Sequence, residues 1–266
     1  MDKKQPLRFV TVIVVGLGFA YFGNQANYFA SYFERVVFAE GGLLGIALFA
    51  LWNSSSLGKL QRVSKRSLAE LAVLAFYYVL LLVLLPKNCN VLQLCIGSGN
   101  GGTVQPATLQ GYVALVASWA IVATAEETFS RGYVITEFLH NSGNKQSVRF
   151  SVLAMLVSTG VFLLLHVFVI AEEAHTLPMI EQYANTIIFG GLVLSATYVV
   201  SEGNLTLCVM EHFFYDAIVP VFAFTGSQGG IEVGFIMVFL VPVVLVYSVH
   251  RFRKMIPTDS IQAIPR

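Results

Sequence analysis

Long apolar runs follow one another along the chain, separated by short polar or charged segments. Each run is close to the ~20 residues that a helix needs to cross the hydrocarbon core of a bilayer. The pattern predicts an all-α, polytopic membrane protein that forms one integral membrane domain over residues 1–266. The eight expected spans lie at about 8–23, 36–52, 68–85, 106–125 running on towards 139, 150–171, 183–200, 205–222 and 231–250.

Composition agrees with a membrane solvent. Hydrophobic residues make up 56% of the chain and charged residues 12%, whereas soluble domains carry about 25% charged residues. The chain therefore has too few charges to cover a water-exposed surface. We expect the lipid bilayer as its surroundings and no nucleic-acid partner.

Lysine and arginine are unevenly distributed among the predicted connections. With a cytoplasmic N-terminus, the 53–67 and 140–149 loops and both termini hold most of them, and the opposite side receives only Arg35 and Lys87. The positive-inside rule then predicts cytoplasmic termini and an even number of spans. Compact size and short loops favour the plasma membrane of a bacterium, with the ER membrane as the eukaryotic counterpart.

The three cysteines have different expected environments. Cys89 and Cys95 lie in the polar outer loop 86–105, where they could form a disulfide or remain unpaired. Cys208 lies within a predicted span and is expected to be a packed apolar residue.

The stretch AEETFSRGYV places Glu126, Glu127 and Arg131 inside an apolar run. Ionisable groups at membrane depth are costly, so they normally face a cavity or a partner. Glu127 and Arg131 are four residues apart, on one helix face and in the favourable acid-before-base order. Arg131 can then neutralise one carboxylate and leave Glu126 in a different environment, as acid/base chemistry requires. A purely structural ion pair remains the alternative.

Two other spans carry ionisable residues at a similar depth. If the fourth and fifth spans form a hairpin, Glu126 is level with position 163, and His166 is three residues further along, a rise of ~4.5 Å. His212 and Asp216, four residues apart in the seventh span, fall near the same level. This convergence indicates a shared polar site rather than packing.

The remaining ionisable residues of the spans receive a simpler interpretation. Glu211 lies beside His212 and belongs with that region. Glu40 and Glu70 lie near predicted span ends, and we attribute them mostly to interfacial solvation. Three further histidines flank or lie in loops and are expected to be solvated: His140, His175 and His250.

Three motifs occur in order on successive helices: Glu126-Glu127-x-x-x-Arg131, Phe162-x-x-x-His166 and His212-x-x-x-Asp216. Together they resemble the CAAX protease and bacteriocin-processing (CPBP, or Abi) family of intramembrane glutamic proteases. Each motif is short, and the specificity comes from the order of all three in an eight-span chain. The resemblance covers about residues 106–222, the expected catalytic core.

The resemblance implies a role for each position. Glu126 would be the general base that takes a proton from the attacking water, and His166 would hold and polarise that water. Glu127 and Arg131 would orient the site as an ion pair. No cofactor is implied.

His212 and residue 216 would stabilise the oxyanion. Eukaryotic prenyl endopeptidases carry Asn at the second of these positions, whereas this chain has Asp216. An ionised Asp cannot donate a hydrogen bond. Asp216 is therefore either protonated or orients His212, and we favour the second.

Other functional classes remain open. Two His and two Glu could bind zinc in a metalloprotease, although no HExxH spacing is present. A transporter would also place charges at the midplane, but repeated halves and broken helices are not evident in the sequence. A non-catalytic immunity or scaffold protein could keep the same residues. The expected substrate is a membrane-associated protein or peptide precursor, and whether it is prenylated stays open.

Overall fold

The computed structural model describes residues 5–25, 32–54, 65–84, 109–141, 147–223 and 240–255, and the described chain is helical apart from short turns. The prediction of an all-helical membrane protein is confirmed. The helices are α1 (Gln5–Gly23), α2 (Tyr32–Asn53), α3 (Lys65–Leu84), α4 (Leu109–Glu127), a π-helical segment (Thr128–Ile135), α5 (Thr136–Asn141), α6 (Val148–Glu173), α7 (Leu177–Val200), α8 (Leu205–Ala223) and α9 (Val241–Met255).

Within the described ranges, four helices are long and apolar enough to cross a bilayer: α1, α2, α6 and α7. The count of eight spans therefore stays a prediction. The start of the eighth predicted span, at 231–239, and the 86–105 loop with its two cysteines lie outside the described residues. Helix α7 begins earlier than predicted, because Thr176 has extended backbone and Pro178 follows in the first turn, where proline is favourable.

The fourth apolar run continues as one helical stretch to Asn141, but its geometry changes after Glu127. Residues Thr128–Ile135 are π-helical and all are buried. π-Helical bonding joins residues five apart instead of four, and such segments often occur at functional sites. The Ser158 hydroxyl donates a hydrogen bond of 2.7 Å to the Ser130 carbonyl, so this backbone oxygen has a partner from α6.

Glycines let α1 lie close to both α2 and the π-helical segment. A Cβ atom at Gly42 would collide with the ring of Phe19 in α1, and one at Gly16 would lie 2.6 Å from the ring of Phe129. Small residues at helix crossings are typical of membrane bundles, where packing drives association. Helix α2 packs against α1, α4 and the π-helical segment.

Two expectations of solvation are wrong because α3 and α9 pack against each other. Glu70 is only 3% exposed, and its Oε1 lies 3.3 Å from Nδ1 of His250. The other ring nitrogen of His250 lies 3.5 Å from Glu202, in the turn between α7 and α8. This contact joins three segments that are far apart in sequence, so no local pattern could indicate it.

The other single residues are simpler. His175 is exposed, as expected, whereas Nδ1 of His140 is buried. Cys208 is fully buried in an apolar cluster with Ile135, Ala154 and Tyr198, which confirms its prediction as a packed residue.

Candidate active site

The six residues singled out in the sequence lie together where α4, α6 and α8 meet. Glu126 and Glu127 end α4, and Arg131 follows in the π-helical segment. His166 comes from α6, and His212 and Asp216 come from α8. Successive helical residues point about 100° apart, so the two glutamates face different neighbours. The site therefore has a buried inner part around Glu127 and a part around Glu126 that borders a cavity.

The inner part is an ion pair closed off from solvent. Oε1 of Glu127 accepts a hydrogen bond of 2.9 Å from Nη1 of Arg131, and both side chains are fully buried. Nη2 of Arg131 donates to the Gly191 carbonyl at 3.0 Å, and its Cζ lies 4.4 Å from the centroid of the Phe162 ring. Arg131 is thus fixed from three sides, as its planar, multi-donor head group allows.

The same glutamate oxygen also fixes a histidine. Nδ1 of His212 lies 2.9 Å from Oε1 of Glu127. Since an ionised carboxylate only accepts hydrogen bonds, Nδ1 of His212 carries the proton. The opposite nitrogen, Nε2, then points away from the ion pair towards Glu126 and Asp216.

His166 is held in a corresponding way by the backbone of its own helix. Its Nδ1 lies 2.8 Å from the Phe162 carbonyl, which can only accept, so Nδ1 again carries the proton. The ring also packs on that of Phe162, with centroids 4.5 Å apart. Nε2 of His166 consequently faces the carboxylate of Glu126.

Glu126 lies between the two free imidazole nitrogens. Its Oε1 is 3.6 Å from Nε2 of His166, and its Oε2 is 3.7 Å from Nε2 of His212. Both distances exceed those of a direct hydrogen bond. A water beside each pair could bond to both partners, and catalytic contacts are often long before substrate binds.

Asp216 lies on the outer side of His212. Its Oδ2 is 3.7 Å from Nε2, and its side chain is 21% exposed. The hydrogen bond that orients His212 comes from Glu127, at the other ring nitrogen. The sequence favoured Asp216 for that task, because an ionised Asp cannot donate a hydrogen bond to an oxyanion. The tertiary arrangement gives the task to Glu127 of α4 instead.

A cavity of about 460 Å³ borders the outer part of the site. Its acidic and basic lining residues are Glu126, His166, Asp216, Glu40 and Arg35. Oε2 of Glu40 is buried and has no hydrogen-bond partner. The expectation of interfacial solvation for Glu40 is therefore wrong: α2 carries this carboxyl group to the cavity wall. A charge within a weakly apolar span was the signal that could have identified it.

Glu211, next to His212, lies outside the cavity lining and is fully buried. Its Oε2 accepts a hydrogen bond of 2.7 Å from the Thr197 hydroxyl of α7. Over the part of the chain that the structure describes, no three or more His, Cys, Asp and Glu side chains are arranged to hold a metal ion.

Comparison with known proteins supports the resemblance seen in the sequence. Residues 108–218 match the family model described as "Type II CAAX prenyl endopeptidase Rce1-like". This segment contains all six site residues and the π-helical segment. No curated protein and no solved structure shows significant similarity to this chain. The family resemblance seen in the sequence is thereby confirmed over residues 108–218, the segment that matches the Rce1-like family model.

Proposed function

We propose that this protein is an intramembrane endopeptidase of the glutamic type, which hydrolyses a peptide bond with water activated by Glu126. One observation carries the proposal. The carboxylate of Glu126 lies 3.6 Å and 3.7 Å from the Nε2 atoms of His166 and His212, at the wall of a cavity. The family match over residues 108–218 supports a hydrolase.

In the first step, Glu126 takes a proton from a water held between its carboxylate and His166. A carboxylate at hydrogen-bond distance from water is a competent general base. The hydroxide attacks the carbonyl carbon of the substrate, and the carbonyl oxygen becomes an oxyanion. His166 keeps the water in line because its ring is fixed by the Phe162 carbonyl.

In the second step, Nε2 of His212 donates to the oxyanion. His212 acts here as an imidazolium, with its other N–H bonded to Glu127. Glu127 in turn is fixed by Arg131, so the donor is oriented before the reaction begins. The proton on Glu126 then passes to the leaving amine as the C–N bond breaks, which yields a carboxylate and an amine.

Asp216 remains close enough to His212 Nε2, at 3.7 Å, to favour the imidazolium electrostatically. In this arrangement Asp216 needs no proton of its own and does not contact the oxyanion. Its proposed role is therefore indirect, and it differs from that of a donating Asn.

The proposed substrate is a membrane-associated protein or peptide precursor that undergoes maturation or C-terminal processing. We place the enzyme in a bacterial plasma membrane, with both termini in the cytoplasm. The lysines and arginines of the termini and of the 53–67 and 140–149 loops support this orientation. A C-terminal reporter that is active only in the cytoplasm tests this orientation. An inactive reporter on a folded protein would show that the C-terminus lies on the opposite side of the membrane.

The proposed function is tested by comparing membrane peptides of cells that carry the wild type and Glu126→Gln. We expect an uncleaved precursor to accumulate in the variant, with a loss of roughly 10²- to 10⁴-fold in rate. Glu181→Gln is the matched control, because Glu181 is exposed on α7. Identical profiles for Glu126→Gln and the wild type would support a non-catalytic scaffold. Loss of cleavage with EDTA and recovery with zinc would support a metalloprotease instead.

A further inference from the structure

We propose that Glu40 determines substrate specificity by binding a lysine or arginine side chain next to the scissile peptide bond. The inference rests on the proposed endopeptidase function, because it assigns a recognition role within the same cavity. Glu40 lies outside the segment 108–218 that matches the family. The selectivity would therefore be a property of this chain's own N-terminal helices.

The position of Glu40 is the first observation. Helix α2 packs against α4 and the π-helical segment, and Glu40 lines the cavity together with Glu126, His166 and Asp216. A side chain there reaches the same space as the proposed base. It does not belong to the hydrogen-bonded set around Glu127.

The unsatisfied carboxyl oxygen is the second observation. Oε2 of Glu40 is buried and has no partner. Leaving a buried polar atom unpaired costs about 1–3 kcal/mol, and more for a charged group. A donor that enters the cavity with the substrate would give the Glu40 carboxyl group the partner that this oxygen lacks. Ammonium and guanidinium groups are the side chains with the most donors and no acceptor.

The charges around the cavity favour a cation. Three carboxyl groups line it, from Glu40, Glu126 and Asp216. Arg35 also lines the cavity, but its Nη1 lies 3.8 Å from Oε1 of Glu172. Arg131 has its charge directed to Glu127, in the inner part of the site. A cationic group that enters the cavity would therefore meet a net excess of carboxylates.

The apolar walls suit the stem of a long basic side chain. The cavity volume of about 460 Å³ lies in the usual range of about 300–1,000 Å³ for small-ligand sites. Near Glu40, α2 contributes Val36, Ala39 and Leu43 to the lining. Lysine and arginine bury their methylene stems against such surfaces while the charged head reaches a polar partner.

The test uses the purified full-length protein in proteoliposomes and matched fluorogenic peptides. The peptides carry Lys, Arg, Gln or Glu at each position that flanks the cleaved bond. The wild type should cleave a Lys or Arg peptide roughly 10- to 100-fold more efficiently than its Gln counterpart, as a charge-assisted hydrogen bond predicts. Glu40→Gln should remove this preference, because KM for the Lys and Arg peptides should rise while kcat changes little.

Two variants serve as controls. Glu40→Asp keeps the charge and should retain part of the preference. Glu34→Gln makes the same chemical change at an exposed position on α2 and should leave the preference intact. An unchanged Lys-to-Gln ratio in Glu40→Gln would overturn the proposal, and so would a wild type that cleaves both peptides equally well.

Binding to the Glu126→Gln variant separates this inference from the proposed function. Fluorescence anisotropy of labelled Lys and Gln peptides measures recognition without cleavage. The Lys peptide should bind more tightly to Glu126→Gln, and the difference should disappear in the Glu40→Gln/Glu126→Gln double variant. Equal binding of both peptides to Glu126→Gln would overturn the role of Glu40. A wild type that binds selectively but cleaves nothing would overturn only the endopeptidase function.

Discussion

The buried pair of Glu127 and Arg131 gives the sharpest quantitative prediction. The two side chains are fully buried and 2.9 Å apart, and the charge of each compensates that of the other. Glu127→Gln keeps the shape of the acceptor but leaves the guanidinium without its counter-charge. Arg131→Met keeps a similar side-chain volume but removes the guanidinium charge beside the Glu127 carboxylate. The double variant removes both charges at once.

The magnitude follows from the contacts of each residue. Removing one partner of a buried ion pair costs about 3–5 kcal/mol, because an uncompensated charge stays behind. Arg131→Met loses in addition its bond to the Gly191 carbonyl and its contact with the Phe162 ring, and it should be the more damaging single change. The double variant leaves no buried charge from this pair. Its loss in free energy of unfolding should be smaller than the sum of the two single losses by about 2–3 kcal/mol.

The assay is equilibrium unfolding of the purified proteins in mixed micelles with increasing SDS, followed by circular dichroism. Cleavage of a precursor by the same samples gives the second readout. The double variant should recover stability but not activity, because His212 would still lack the charged acceptor that fixes its Nδ1.

Two results would refute this reasoning. If the single losses simply added in the double variant, to within about 0.5 kcal/mol, the two side chains would not interact energetically. If the double variant recovered cleavage together with stability, the charge of Glu127 would have no part in orienting His212.

Two further predictions concern contacts outside the chemistry. His250→Gln should cost about 1–3 kcal/mol, because the buried Glu70 loses the imidazole 3.3 Å from its Oε1, and cleavage by the folded fraction should stay normal. SDS titration and the precursor assay measure both, and an unchanged unfolding midpoint would contradict the pairing. Ser158→Ala should cost a similar amount, since the Ser130 carbonyl in the π-helical segment loses the Ser158 hydroxyl as a donor. The same titration measures this, with Ser151→Ala on the same helix as the control. Only Ser158→Ala should lower the free energy of unfolding.

The sequence was most informative where an interaction is local or depends only on depth. Glu127 and Arg131 are four residues apart on one helix, so the i,i+4 geometry brings them together without help from the rest of the fold. His166 and His212 were expected near Glu126 because residue counts along antiparallel helices give their level in the membrane. The depth of a residue in the membrane and its axial distance from another residue both follow from the helical rise of ~1.5 Å per residue.

The sequence failed where the answer depends on which helices are neighbours and how each is rotated. Glu70 and His250 are 180 residues apart in sequence, and neither hydropathy nor spacing says that α3 and α9 touch. Glu40 was assigned to the interface because it lies near the end of a predicted span. Its place at the cavity results from the close packing of α2 that Gly42 permits.

The orientation of His212 separates the two kinds of information most clearly. The sequence by itself determined the membrane class, the helical runs and the set of groups that share one depth, because these follow from hydrophobicity and the helical repeat. Only the tertiary structure decided that Glu127, and not Asp216, holds His212 through Nδ1. A hydrogen bond requires a direction as well as a depth, and the direction of each side chain is set by the rotation and packing of its helix.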